Sequence, residues 1–149
     1  MRLSVLLAAI CFAGSAVAEE NFPVVLLESK DAKGGAVQFQ TDLKTLYHAP
    51  RWTLYADRKG DPPLSIGAAA EIAQKAVLVR TPKADGVSFT SVRFLKRDIS
   101  YSGGGFIAWF YVFSFEPIFP TGPASIEAGP NMEIVVLLDG TAIYPSPTK

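Results

Sequence analysis

The chain has 149 residues, of which 49% are hydrophobic and 19% charged, with 14 basic and 14 acidic side chains. This length suits one ordinary domain, and the balanced charge removes the usual electrostatic case for a nucleic-acid partner. Because the chain has one cysteine, it can form neither an internal disulfide nor a metal site with several thiolate ligands. Its single histidine leaves little material for a metal centre built from histidines. We therefore predict no metal and no cofactor.

The first eighteen residues have the pattern of a secretory signal peptide. Arg2 precedes an apolar run of about ten residues, and residues 16–18 (Ala-Val-Ala) form a small-x-small cleavage site. The run is shorter than the roughly 20 residues that cross a bilayer, and Ile10 before Cys11 departs from a lipoprotein signal. Cleavage near Ala18 predicts a soluble, cysteine-free mature chain in the periplasm or outside the cell, without membrane insertion.

Residues 19–63 are predicted to form an N-terminal β extension and a linker. A polar turn at residues 30–35 separates two apolar or alternating runs, which indicates a hairpin. The segment RKGDPP at residues 58–63 marks a break before a second unit, residues 64–149. The strand candidates of the extension are residues 24–27, 36–40 and 52–56.

The second unit opens with the clearest helix pattern of the chain. Ser65 follows two prolines and can cap a helix by accepting a hydrogen bond from a backbone N–H group. Residues at helical spacing then form one apolar face: Ile66, Ala69, Ala70, Ala73 and Val77. Thr81-Pro82 predicts the end of the helix.

Strand patterns follow the helix. The glycines of residues 102–105 predict a hairpin turn, and Asp139-Gly140 predicts a second turn. Glu116-Pro117, and later Pro145 and Pro147, are expected to end strands. The predicted strands are residues 87–99, 106–115, 132–138 and 141–144.

These elements predict an α+β fold in which one helix packs on an antiparallel sheet of about four strands. Leu64-Ser65 with Ala69, Ile72 and Ala73 resembles the opening helix of PepSY-type domains. Residues 109–112 (WFYV) resemble the central strand of that family, and residues 133–140 (EIVVLLDG) its last strand. The resemblance covers residues 64–144. It implies a cystatin-like unit outside the cytoplasm that binds or restrains a protein partner, often a protease.

The aromatic strand at residues 106–115 is apolar on both faces. Odd-numbered residues from Ile107 to Phe115 share one face and even-numbered residues from Phe106 to Val112 share the other. One helix can cover a single face, so residues 22–56, a second copy of the chain or a ligand must cover the other. A partner-binding or hydrophobic-ligand surface is therefore predicted at three aromatic residues: Trp109, Tyr111 and Phe113.

The sequence offers little for catalysis. His48 lacks a neighbouring nucleophile and orienting carboxylate, and residues 103–105 lack the following Lys-Ser/Thr pair and helix of a phosphate loop. Two carboxylate pairs, Glu116 with Asp139 and Asp57 with Asp61, stay open as a hydrolase alternative. The basic residues Arg93, Lys96 and Arg97 indicate a solvated face or edge.

The prediction is accordingly an exported non-catalytic binding or inhibitory module that acts on a protein partner, possibly a protease. The alternative is a structural component of an envelope assembly, and a hydrolase comes third. A homodimer is compatible with either of the first two functions.

Overall fold

A computed structural model describes residues 21–31, 33–52, 60–122 and 125–148, and these contain two helices and eight strands. The predicted leader, most of the strand candidate at 52–56 and the carboxylate of Asp57 lie outside the described residues. In chain order the elements are β1 (Pro23–Lys30), β2 (Ala36–Asp42), α1 (Leu43–His48), α2 (Ile66–Arg80), β3 (Gly86–Tyr101), β4 (Gly104–Gly122), β5 (Ser125–Ala128), β6 (Met132–Leu137), β7 (Ala142–Ile143) and β8 (Pro145–Pro147).

The main sheet has the order β3-β4-β6-β7, with β5 paired to the far end of β4, and every pairing in it is antiparallel. The hairpin turn predicted at residues 102–105 is confirmed, since Tyr101 lies opposite Gly104. Gly104 adopts a φ of 134°, a backbone conformation that residues with a side chain rarely adopt.

The predicted end of the aromatic strand at Glu116-Pro117 is wrong. β4 continues to Gly122, and β5 lies between the two predicted strands 106–115 and 132–138, where no strand was predicted. Pro117 lacks a backbone donor, but its fixed φ fits extended backbone. Its carbonyl oxygen accepts a hydrogen bond of 2.6 Å from the N–H of Gly129, so the strand keeps a partner on this side.

The small sheet has the order β1-β2-β8. The predicted β1–β2 hairpin is confirmed, with Gly34 in its turn at a φ of 81°. Pro145 and Pro147 were expected to end the last strand, yet they belong to β8, which pairs with Val37–Phe39 of β2. β8 lies at an edge of this sheet, where prolines are tolerated because one side of the strand needs no donors.

Helix α2 begins as predicted, because the Ser65 hydroxyl accepts a 3.2 Å hydrogen bond from the N–H of Ala68. Its buried residues are Ala69, Ala73, Ala76 and Val77. Ile66, predicted on the same face, is exposed. Helical side chains tilt toward the N-terminus of the helix. The side chain of Ile66, in the first turn, therefore extends beyond the part of the sheet that α2 covers.

Helix α1 is absent from the sequence prediction, because six residues are too few to establish a helical period. The carboxylate of Asp42 accepts a 2.7 Å hydrogen bond from the N–H of Thr45 and thereby caps this helix. Leu43 and Leu46 of α1 are buried.

The two faces of the main sheet are covered by different parts of the chain. Helix α2 covers the face of Tyr111, Phe113 and Phe115. The other face, which includes Phe110 and Val112, packs against an N-terminal group: Leu26, Phe39, Leu43 and Leu46. Described residues between Phe22 and Leu46 thus supply the second cover, whereas Trp52 packs on the α2 side of the sheet.

The predicted combination of helix and antiparallel sheet is confirmed. The predicted count of one helix on about four strands is wrong, because the described residues form two helices and eight strands in two sheets. The added strands are short or rich in proline, and such segments carry a weak alternation of apolar and polar residues.

Candidate functional site

The helix-facing side of the main sheet carries a continuous row of aromatic rings. Phe94 of β3 lies opposite Tyr111 of β4, with 4.7 Å between the ring centroids. Along β4, Tyr111 and Phe113 are 5.8 Å apart, and Phe113 and Phe115 are 6.1 Å apart and stacked. These spacings are typical of favourable aromatic pairs, so the row stabilises the sheet beneath α2.

The three residues predicted to bind a partner differ in accessibility. Phe113 is 0% exposed and Tyr111 is 4% exposed, so α2 and its neighbours enclose both rings. The hydroxyl of Tyr111 donates a 3.0 Å hydrogen bond to the carbonyl oxygen of Leu64, at the residue before the helix cap. Burial, followed by the negative charge of Asp61, raises the pKa of Tyr111 above its usual value. Trp109 is only half-buried.

Trp109 is fixed by rings that the sequence prediction did not connect with it. The Trp109 ring stacks on Phe94 at a centroid distance of 5.1 Å and meets the edge of Trp52 at 5.0 Å. The Trp52 indole N–H donates a 3.3 Å hydrogen bond to the carbonyl oxygen of Gly60. These contacts fix the orientation of the Trp109 ring in the structure.

A cation and an exposed aliphatic side chain complete this group. The Lys96 ammonium nitrogen lies 6.0 Å from the centroid of the Trp109 ring, within the range of cation–π contacts. Ile107 lies two residues from Trp109 on the same face and is exposed. We call this group the Trp109 surface: Trp52, Phe94, Lys96, Ile107 and Trp109.

The Trp109 surface adjoins a long edge strand. In the described part of the chain, β3 is hydrogen-bonded to β4 alone, so the backbone groups on its other side have no strand partner. Arg93 and Arg97 project to the face opposite Lys96, because side chains alternate along a strand. Arg93 is paired with Glu133 at 2.7 Å, whereas Lys96 and Arg97 are exposed without a salt bridge to any described residue.

The register of the β3–β4 hairpin could have revealed this arrangement. A turn centred on Ser102 and Gly103 places Lys96 opposite Trp109 and Phe94 opposite Tyr111. Sequence reasoning identified the turn but assigned it to four residues, which leaves the register open.

The residues considered for catalysis are dispersed. His48 is exposed at the end of α1 and contacts the ring of Tyr47 at 5.7 Å. The carboxylate of Asp139 accepts a 2.8 Å hydrogen bond from the N–H of Thr141 and so stabilises the β6–β7 turn. Within the described ranges, no group of three or more His, Cys, Asp or Glu side chains could hold a metal ion.

Comparisons with family models, curated proteins and solved structures found no match. Neither of the two described helices is long and apolar enough to cross a membrane.

Proposed function

We propose that the mature chain is an exported, non-catalytic module that binds an acidic, extended segment of a protein partner at the Trp109 surface. The observation that carries this proposal is the half-buried Trp109 ring, held by Phe94 and Trp52 beside Lys96. Tryptophan is enriched among residues that dominate binding energy, and rigid anchors lose little entropy on binding.

The free edge of β3 supports an extended partner segment. An added strand would pair with the backbone N–H and C=O groups on the open side of β3 and would gain affinity from these hydrogen bonds. Its side chains on the α2 side of the sheet would meet Lys96 and Trp109, and those on the opposite side would meet Arg97.

The charge of β3 favours an acidic partner. Between residues 93 and 98 the strand carries three cations and one carboxylate, Asp98, which lies opposite Ile107. Arg93 is occupied by Glu133, so Lys96 and Arg97 are available for acidic residues of the partner. Complementary charge of this kind sets the choice of partner and speeds association more than it adds affinity. Charges on an edge strand also discourage self-association. The peptide selection and charge-reversal variants described next separate this role from the binding of an acidic partner.

A peptide selection tests the proposal. Random unstructured decapeptides would be displayed and selected on the mature chain, residues 19–149. We expect the selected sequences to be enriched in Asp and Glu on both faces of the extended peptide, because Lys96 and Arg97 project to opposite faces of the sheet. The chain has two tryptophans, and both lie at the Trp109 surface, so binding should change the intrinsic fluorescence.

Charge reversal supplies the control. Lys96→Glu with Arg97→Glu should weaken the selected peptides by roughly tenfold or more, since attraction is replaced by repulsion. Lys75→Glu with Lys83→Glu makes the same charge change on exposed lysines of α2 and the following loop, and should leave binding unchanged. Basic or neutral selected peptides, or equal loss in both double variants, would contradict the proposal.

The β4–β5 arm favours the second function, a structural component of an envelope assembly. Every residue of β5 is exposed, and Ile126 is 73% exposed. An apolar side chain at an edge strand suits a permanent contact between subunits. Under this function Ile126→Asp, and not the charge reversal on β3, should release the chain from a large envelope complex in size-exclusion chromatography.

A further inference from the structure

A concave site lies away from the Trp109 surface. A cleft of about 670 Å³ opens between the β1–β2 turn and the start of β6, and it shares no lining residue with the Trp109 surface. Pockets for small molecules commonly have volumes of about 300–1,000 Å³. The accessible apolar part of the lining includes Val37, Met132 and Pro145.

The charged part of the lining leaves two cations without partners. The carboxylate of Asp31 accepts hydrogen bonds from the backbone N–H groups of Lys33 and Gly35, at 2.9 and 2.7 Å, and so fixes the turn. Within the described residues, no carboxylate oxygen lies within 4.0 Å of the ammonium groups of Lys30 and Lys33. Both ammonium groups are therefore free to attract an anion.

Glu133 also lines the cleft and carries an unsatisfied acceptor. Its Oε1 oxygen accepts a 2.7 Å hydrogen bond from Arg93. Its Oε2 oxygen is buried and has no hydrogen-bond partner, the only such side-chain atom among the described residues. Because a buried acceptor without a donor costs free energy, this oxygen marks a place where a donor from outside would be favoured.

We propose that this cleft binds a small amphipathic organic acid that also carries a hydrogen-bond donor. The acid group lies between the ammonium groups of Lys30 and Lys33, and the apolar body packs on Val37, Met132 and Pro145. The donor, a hydroxyl group near the acid, reaches Glu133 Oε2 through a small displacement of the side chains that enclose this atom.

Titration of the ¹⁵N-labelled mature chain, followed by NMR, tests the ligand class. The probes are 3-hydroxydecanoate, decanoate and decanol, with the two acids kept below the concentration at which they form micelles and decanol below its solubility limit. We expect saturable shifts at the amides of Lys30, Lys33, Met132 and Glu133, with affinity falling in the order in which the probes are named. Absence of saturable shifts at these amides, or equal affinity for decanol and the acids, would overturn the proposal.

Two variant pairs assign the contacts. Lys30→Gln with Lys33→Gln should weaken decanoate by roughly three- to tenfold, as expected for two exposed ion pairs. Lys75→Gln with Lys83→Gln, a matched loss of charge elsewhere, should not. An equal effect in both double variants overturns the acid-binding role of the cleft.

The second pair concerns the hydroxyl group. Glu133→Leu and Arg93→Gln both remove the ion pair between these residues, but only the first removes the acceptor oxygens. Glu133→Leu should abolish the preference for 3-hydroxydecanoate over decanoate, and Arg93→Gln should retain it. Loss of the preference in Arg93→Gln, or its retention in Glu133→Leu, overturns the role of Glu133.

Discussion

Replacement of Phe39 by alanine tests whether the small sheet covers the main sheet. Phe39 is 0% exposed and packs in the core that joins β2 to Phe110 and Val112 of β4. Removing a buried phenylalanine ring costs about 3–5 kcal/mol, because apolar contacts are lost and a cavity is left. A domain of this size has about 5–15 kcal/mol of stability in all. We therefore expect Phe39→Ala to fold and to lose about 4 kcal/mol.

Urea unfolding of the mature chain, followed by circular dichroism, measures this loss. With a urea dependence of about 2 kcal/mol per molar, 4 kcal/mol corresponds to a midpoint lower by roughly 2 M. Phe89→Ala is the matched control, because the same side chain on β3 is 55% exposed and its loss should cost about 1 kcal/mol or less. If Phe39→Ala costs no more than Phe89→Ala, the N-terminal segment does not cover this face.

Three further changes test local features. Tyr111→Phe removes the hydrogen bond to the Leu64 carbonyl and should cost about 0.5–1.5 kcal/mol in urea unfolding; no loss would mean that this bond is absent in solution. Asp42→Ala removes the cap of α1 and should cost about 1 kcal/mol at neutral pH. The backbone N–H of Thr45 holds the pKa of Asp42 below its usual 3.8. The stability that the Asp42 cap contributes is therefore complete above pH 3.8 and is lost as the pH falls through the lower pKa of the folded state. If Asp42→Ala costs the same free energy of unfolding at every pH between 2 and 6, the charge of Asp42 has no role in the cap. Gly140→Ala forces a side chain onto a φ of 89° and should lower the melting temperature. The control Gly67→Ala adds a methyl group in open space on α2 and should raise the melting temperature. A higher melting temperature for Gly140→Ala than for Gly67→Ala would contradict the assigned turn.

The helix and the alternation of β4 were predictable because each depends on a local and repeated pattern. Ser65 after two prolines identifies the helix start, and the alternation of β4 assigns Phe110 and Tyr111 to opposite faces. The edge strand β8 was not predictable. Proline normally indicates the end of a strand, and only the neighbouring β2, distant in sequence, makes Pro145–Pro147 extended and paired.

The candidate site was predicted in part for a similar reason. Alternation groups Trp109, Tyr111 and Phe113 on one face but does not indicate how far along that face the helix extends. The position of the accessible residue, Trp109, beside its neighbours depends on contacts between residues distant in sequence. Phe94 and Lys96 lie beside β4 because of the hairpin register, and Trp52 belongs to the N-terminal segment of the chain.

The lengths of α2 and β4 explain why the accessible aromatic residue is Trp109. A helix of 15 residues is about 22 Å long, whereas a strand of 19 residues extends over roughly 60 Å. The helix can therefore cover only part of the strand, and the bond from Tyr111 to Leu64 places the start of the helix beside Tyr111. Trp109 lies one step beyond this point on the same face, where Trp52 and Phe94 support it from the side. Because β4 is longer than α2, the same strand has aromatic residues covered by the helix, Tyr111 and Phe113, and an accessible one, Trp109.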